Sequence, residues 1–297
     1  MNLLHRVEEL SMQYGNGSRR AIGTFVMQER WHLHELLVQD IAEKTYTSKA
    51  SLTRFAKELG FSGWREFLKA FVEEQSRQES HYTDVDPNFP FHAGSSKKDI
   101  INMICSLQVE SLLDTADLLE DNDALEKTVA LMQNCKRLAV FGLNPNLSLA
   151  ELFKRKMMSI GKQVETPTLG DIGLLATTLN RDDCAVVISY SGNNMAHTTM
   201  GIVPGLVKNQ VPIVALTSEG DNILRQQATC TFTISSREKL YNKISTYSTE
   251  TSILFILNVL FSCYFAKEYE KNLKYKIEQG ILLETPRWIN SKENDGK

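Results

Sequence analysis

Residues 39–71, QDIAEKTYTSKASLTRFAKELGFSGWREFLKAF, contain two short helical patterns separated by a tight turn. Ile41 and Ala42 supply the packing side of the first. In the second, Leu52, Phe55, Ala56 and Leu59 stand at i, i+3, i+4 and i+7, the spacing that puts four apolar side chains on one stripe of an α-helix. Ser48 is placed to cap the N-terminus of this second helix, and Gly60 follows as its C-terminal stop. Lys49, Ala50, Ser51, Thr53, Arg54 and Lys57 are left at outward or N-terminal positions, a set of hydroxyls and cations suited to a nucleic-acid groove.

Charge supports this reading locally. Residues 44–69 hold six basic side chains (Lys44, Lys49, Arg54, Lys57, Arg65, Lys69) against Glu58 and Glu66, a local excess of +4 in a 297-residue chain whose net charge is -3. The whole molecule therefore exerts no general attraction on a polyanion, and binding to one has to come from this surface. A basic run taken alone is more simply read as a solvated helix face.

Outward from this stretch, apolar residues recur at helical spacing from Leu3 to about Ser76. After Lys136 short β-rich runs alternate with helical stretches. Between the two regimes, QESHYTDVDPNFPFHAGSSKK (78–98) has Pro87, Pro90, Gly94 and several serines that break any period, and it reads as a linker. A long helix is expected from about Lys98 to Asn134, broken near Asp121-Asn122-Asp123. Strands are expected at 137–142, briefly at 163–166, and at 184–189, 211–217 and 229–235. The runs RLAVFG, CAVVIS and VPIVALT are continuously apolar, as in strands covered on both faces of a parallel sheet. The expected architecture is an α-helical domain followed by an α/β domain with a doubly wound, mostly parallel five-stranded sheet. Its boundaries are 1–77, 78–98 for the linker, 99–278, and 279–297 for a C-terminal tail.

Two strand-to-helix turns carry the candidate ligand chemistry. RLAVFGLNPNLSLAELFKRKMMSIG (137–161) runs strand, turn, helix, the order that offers free backbone N–H groups to an anion. CAVVISYSGNNMAH (184–197) repeats the order with a hydroxyl-rich turn, which suggests one site between the two turns at the carboxyl ends of parallel strands. Ser-Gly turns are also common as simple connections.

In residues 39–71 the chain resembles the RpiR family of bacterial regulators. Ile41, Ala42 and Glu43, then Ser48, Ala50, Ser51, Arg54, Phe55, Ala56, Lys57, Leu59, Gly60, Phe61, Gly63, Trp64, Glu66 and Phe67 match that family's helix-turn-helix pattern in order. The resemblance implies that the second helix enters the major groove of double-stranded DNA, with Ser48, Lys49, Ser51, Thr53, Arg54 and Lys57 as contacts. The turn departs from the pattern: Tyr46 stands where a glycine is usual, so either it takes a strained positive φ or the turn follows another path. From about 125 to 265 the chain looks like a sugar isomerase (SIS) domain, a flavodoxin-like phosphosugar-binding fold. Ser189, Ser191 and Gly192 match its S-x-S-G-x-[ST] motif, with Asn194 at the last position. The first loop, Gly142-Leu143-Asn144-Pro145-Asn146, aligns on G-x-G-x-S with Asn144 for a glycine and Asn146 for a serine. The resemblance implies ligand contacts from Asn144, Asn146, Ser189, Ser191, Gly192 and Asn194, to a sugar phosphate or related small anion. The substituted asparagines keep amide donors but change the shape of the site.

The expected activity is thus DNA-binding regulation, with the SIS domain sensing a phosphorylated ligand and controlling carbohydrate-metabolism genes. The alternatives are a regulator with an unliganded SIS scaffold, or a sugar-phosphate isomerase. The isomerase needs an acid and a base beside the sugar, and no His or Glu stands in a motif that marks it for that role; Glu151 and Glu250 read as structural. No catalytic residue, metal or cofactor is expected. Cys105, Cys135, Cys184, Cys230 and Cys263 form no CxxC pair, which fits a reducing cytoplasm, and MNLLHRVEEL lacks the apolar core of a signal peptide. The apolar run 253–266 is short for a bilayer and holds Asn258 and Ser262, so it is expected as a core or interface helix of a homodimer or homotetramer, with no membrane partner.

Overall fold

The helical period of the N-terminal third gives α1 (Leu3–Met12) and α2 (Gly17–Gln28), then a short 3-10 turn at Leu33–Glu35. The two short helices follow as α3 (Val38–Lys44) and α4 (Lys49–Glu58), and α5 (Trp64–His81) completes the group. This computed structural model describes residues 3–12, 17–30, 32–81, 85–120 and 123–294. They fall into two compact units. The first consists of Met1–Asp117, Ser218–Asn222 and Thr233–Ser252, the second of Leu118–Thr217, Ile223–Phe232 and Ile253–Lys297.

In the first unit the expected stripe is buried: Leu52, Phe55, Ala56 and Leu59 join Ile41, Ala42, Ile22, Val26 and Val7 in one core. Phe67 is its aromatic centre, with ring centroids 5.0 Å from Trp64, 5.5 Å from Phe71 and 6.1 Å from Phe55. The turn from α3 to α4 resolves the question raised by Tyr46. Tyr46 adopts φ 51° and Thr47 N–H returns to the Ala42 carbonyl (2.8 Å) while Tyr46 N–H returns to Glu43 (3.1 Å). This is a Schellman termination with tyrosine in the left-handed position where glycine is the least strained occupant. The end of α4 repeats it with Gly60 at φ 89°, so the glycine stop read from sequence is present.

After α5 the chain is irregular from residue 85 to 96 and then enters α6 (Lys97–Glu120). Asn88 is buried, its amide oxygen accepting from Lys239 N–H (2.7 Å) and its carbonyl from Ile244 N–H (2.9 Å). Nearby, Glu238 is fully buried and accepts from Thr249 Oγ1 (2.7 Å) and from Ser248 N–H (2.5 Å). Burial pushes its pKa up, opposed by those hydrogen bonds and by Lys243.

In the second unit α7 (Ala124–Asn134) leads to β1 (Leu138–Phe141), α8 (Asn146–Met158), α9 (Ile172–Thr178) and β2 (Cys184–Ile188). The break foreseen in the long helix lies at 121–122, outside the described residues, with α6 ending before it and α7 starting after it. Then come α10 (Thr198–Gly201), α11 (Val203–Lys208), β3 (Ile213–Ser218), α12 (Ile223–Gln227), β4 (Cys230–Ile234), α13 (Tyr247–Lys267) and α14 (Tyr269–Asn294). The strands are ordered β1-β2-β3-β4, with β1/β2 and β2/β3 parallel. All residues of β1, β2 and β3 are buried, as their continuous apolar runs predict, whereas β4 alternates.

The sheet has four strands among the described residues and not the five expected. The stretch 163–166 contributes only Glu165, whose N–H and carbonyl bond Leu138 and Val140 (2.8 Å each) on the free edge of β1. Gly161 at φ 83° turns the chain just before it, and Pro167, which has no N–H to donate, ends the ladder just after. Counted as a position, this bridge gives the order 2-1-3-4-5 of the flavodoxin-like doubly wound fold. Helices cover both faces: Ala139, Phe141, Ala185, Val187, Ile213 and Ala215 pack with α9, α10, α11 and α12. The alternate strand residues point the other way, toward the side of α8, whose Phe153 and Met157 are buried.

The apolar run near the C-terminus is longer as a helix than as a stretch of sequence. α13 has 21 residues and by length and composition could cross a membrane. Its Ile253, Ile256, Leu257 and Leu260 are nonetheless at most 1% exposed, an i, i+3, i+4, i+7 stripe committed to the core.

Candidate functional site

The first site is built on α4. Ser48 is its N-cap, with the hydroxyl accepting from Ser51 N–H at 3.1 Å and lying 3.0 Å from the Ser51 hydroxyl. Since one stripe of α4 is buried, the complementary face carries Lys49, Arg54 and Lys57, all exposed, with Thr53 and Ser51 half-buried between them. Thr53 Oγ1 donates to the Lys49 carbonyl (3.1 Å), and Lys49 Nζ reaches Gln39 Oε1 (3.2 Å). The hydroxyls are thus partly spent on the helix itself, while the Arg54 and Lys57 cations project into solvent. One helix brings together the six residues assigned to DNA from the sequence.

Two arginines that periodicity did not mark hold α4 in place. Arg19 on α2 sets its guanidinium against Glu58, with Nη2 2.7 Å from Oε1 and Nε 2.6 Å from Oε2. Arg6 on α1 donates to the Leu59 carbonyl at the C-cap of α4 and lies 6.0 Å from the centre of the Phe61 ring. Glu66, matched in the family pattern, accepts from the Ser62 hydroxyl and from Ser62 N–H (2.7 Å) at the start of α5. Those bonds hold its carboxyl below the usual range, the hydroxyl contributing most.

The second site lies at the carboxyl ends of β1 and β2, which are adjacent in register through Phe141 and Val187. In an open doubly wound sheet this boundary, where the strand order reverses, is where a ligand crevice opens. The first loop, Gly142 to Pro145, has a cis Asn144–Pro145 peptide, and Pro145 caps α8. Leu147 N–H bonds the Leu143 carbonyl (3.3 Å) and Ser148 N–H the Pro145 carbonyl (3.0 Å), so these first-turn donors of α8 are engaged. Asn144 is exposed, and Ser148 Oγ donates to its amide oxygen (3.4 Å); Asn146, half-buried, is the first residue of the helix. A Cβ on Gly142 would come within 3.2 Å of Asn146 Cβ, so the loop closes tightly on this asparagine.

The second loop runs from Ser189 to His197 before the four-residue α10, so the strand-to-helix order holds with a longer connection than at the first loop. Ser189 Oγ accepts from Gly192 N–H (3.3 Å), and Gly192 takes φ 61°. Asn194 Oδ1 accepts from Ala196 N–H (3.1 Å) and Asn193 Oδ1 from Ile223 N–H (3.0 Å), while Gly192 O accepts from Leu224 N–H (3.0 Å). Ser191 is half-buried and Thr217, on β3, donates to the Tyr190 carbonyl (3.3 Å). Neither loop itself contains a lysine or an arginine, so the loops offer an anion only neutral dipoles. Glu250, at the start of α13, accepts from Thr246. Among the described residues no cluster of His, Cys, Asp or Glu could hold a metal.

Comparison with known proteins agrees with these geometries. Residues 1–79 match the helix-turn-helix domain of the rpiR family, and residues 131–262 match the SIS domain. An HTH-type transcriptional regulator of Clostridium perfringens is 26% identical over 239 residues, covering 80% of this chain and 83% of that one. One of Thermotoga maritima is 24% identical over 274 residues, covering 90% and 93%. Among solved structures, Vibrio vulnificus NanR, complexed with ManNAc-6P, shares the fold with a TM-score of 0.57 at 18% identity, over 95% of this chain and 98% of that one. With the α3–α4 motif and the flavodoxin-like sheet each falling within its matched segment, the chain belongs to the RpiR family of helix-turn-helix transcriptional regulators.

Proposed function

We propose that the protein is a cytoplasmic regulator that binds a DNA operator through α4 and senses a small phosphorylated ligand, of the sugar-phosphate class, at the β1/β2 loops. One observation carries this reading: a single chain joins a basic, exposed helix face to a fold whose two loops follow adjacent strands at a strand-order switch point. The homologous HTH-type regulators support the control of transcription, and the ManNAc-6P complex of NanR supports the ligand class. A homodimer or homotetramer would place two copies of α4 on half-sites about 34 Å apart, or multiples of that distance. The ligand would act by favouring one spacing over another. Ser48, Lys49, Ser51, Thr53, Arg54 and Lys57 then face DNA, and Asn144, Asn146, Ser189, Ser191, Gly192 and Asn194 face the ligand.

A second reading, a regulator whose SIS domain binds nothing, is favoured by a specific feature: the Asn193 and Asn194 amide oxygens and the Leu147 and Ser148 N–H groups already have backbone partners. Fluorescence anisotropy on duplexes tiled across the DNA flanking the gene, at two salt concentrations and with ManNAc-6P as probe, separates the two. Selective, salt-sensitive binding that the probe shifts supports the sensor. Selective binding unmoved by ManNAc-6P or by a pool of other sugar phosphates supports the scaffold. No selective binding to any tile removes the regulator reading for this neighbourhood of DNA.

A further inference from the structure

Arg6 is half-buried in the first unit, and its guanidinium touches more than the helix-turn-helix core. Besides donating to the Leu59 carbonyl, it packs on Gly220, in the segment Ser218–Asn222 that follows β3. A Cβ built on Gly220 would lie 2.6 Å from Arg6 Nη1 and 2.9 Å from Cζ, so the guanidinium occupies the space a side chain would need. Gly220 also takes φ 83°, a conformation that glycine adopts at least cost. Glu219 and Asp221 flank it and oppose the pull of burial on the arginine's pKa. The Leu59 carbonyl is one of the acceptors a helix leaves unpaired at its C-terminus, where a cation is favoured.

We infer that Arg6 is a positioning residue for DNA binding: it ties the C-terminal end of recognition helix α4 to the acidic segment Glu219-Gly220-Asp221, so that the arrangement of this segment sets how α4 is presented. The inference rests on the regulator reading and adds its regulation. The same segment continues along the chain into Ile223 and Leu224, whose N–H groups are held by Asn193 Oδ1 and the Gly192 carbonyl. A ligand that rearranged the loop 189–194 would therefore act on a stretch of chain that ends at Arg6.

The charges give this proposal a sign that ordinary electrostatics does not share. Removing two carboxylates from a DNA-binding protein should tighten binding if the effect is charge alone. If they hold Arg6, and Arg6 holds α4, removing them should weaken it. On an operator duplex, Arg6→Ala and the double variant Glu219→Gln/Asp221→Asn are each expected to weaken binding about tenfold, with the combination no weaker than Arg6→Ala alone. The slope of affinity against salt should stay unchanged in both. Tighter binding by the double variant, or a slope reduced by about one in Arg6→Ala, as for a lost phosphate contact, would overturn the proposal.

Hydrogen exchange of the free, full-length protein supplies a readout that needs no DNA. The N–H groups of Leu59, Gly60 and Phe61 close the end of α4 on Phe55, Ala56 and Lys57, and they should exchange faster in Arg6→Ala and in the double variant. Unchanged exchange in both overturns the proposal even where DNA binding is lost. If no duplex is bound by the unaltered protein, the regulator reading has failed and exchange alone decides the role of Arg6. Arg6→Lys, which keeps the charge but loses the planar fork, is expected to exchange as fast as Arg6→Ala and replaces it if the alanine variant does not fold.

Discussion

Helix α4 and the two loops of the α/β unit were marked out by the same kind of sequence evidence, yet the structure treats their polar side chains differently. On α4 the hydroxyls of Ser48 and Thr53 serve the helix, but Arg54 and Lys57 remain exposed cations on a face opposite a buried stripe. In the loops, Ser189, Asn193 and Asn194 accept from backbone N–H groups, and the loop segments themselves carry no lysine or arginine. A helix satisfies its own backbone, so its outward side chains are available for a partner. A loop has to satisfy its backbone with side chains, and those side chains are then less available.

This difference is most easily broken at Arg54. A side chain that reads a base or grips a phosphate is worth about 1–3 kcal/mol, so Arg54→Ala should weaken operator binding by roughly tenfold to a hundredfold with the thermal midpoint unchanged. Unaltered affinity in anisotropy would show that α4 does not present this face to DNA. The loops should respond in the opposite way, with DNA affinity untouched and ligand response altered. Ser191→Ala is expected to abolish any shift of DNA binding by ManNAc-6P. Asn194→Thr, which restores the hydroxyl of the S-x-S-G-x-[ST] motif, is expected to increase thermal stabilisation by the same probe. If Asn194→Thr gains nothing and Ser191→Ala loses nothing, these loops are not a ligand site.

What could be read in advance followed the reach of each interaction. The i, i+3, i+4, i+7 stripe of α4, the Ser48 cap and the Gly60 stop are local, and all are found where the residues indicated. The continuous apolar runs of β1, β2 and β3 announced strands buried on both faces. The fifth strand failed because a turn at Gly161 and Pro167 leave room for one bridging residue, and apolar content alone does not measure that. Arg6 was silent in the sequence for a different reason: its partners are 53 residues away at Leu59 and farther still at Gly220, and no period or motif connects such positions.

Tyr46 and Gly60 allow a sharper comparison within the helical unit, because both occupy the left-handed position of a Schellman turn, at φ 51° and 89°. Tyr46 is 98% exposed, so its ring gains almost nothing from burial. Tyr46→Gly removes a strain of about 1–2 kcal/mol and costs about 0.5–1 kcal/mol in chain entropy, a net stabilisation on the order of 1 kcal/mol. The thermal midpoint of the helical unit should rise by a few degrees. A fall would mean that Tyr46 contributes through contacts on the shallow hollow of about 400 Å³ that it lines with Arg20, Phe25 and Lys44.

The smallest expected effect concerns Glu66, which separates a family residue that caps from one that binds. Its carboxylate takes both the hydroxyl and the N–H of Ser62 and sits in the first turn of α5, where negative charge is favoured. Because the folded protein holds its pKa below the unfolded value, the ionised form is the one that stabilises. Its contribution is complete above the ordinary glutamate range and disappears as pH falls through the lowered value. Thermal midpoints of the unaltered protein and of Glu66→Gln, measured from about pH 7 down to about pH 3, should therefore differ most at neutral pH and converge in acid. Operator affinity at neutral pH should not fall in Glu66→Gln, since a carboxylate cannot attract phosphate. A loss of affinity with unchanged midpoints would move Glu66 from the cap of α5 to the DNA face.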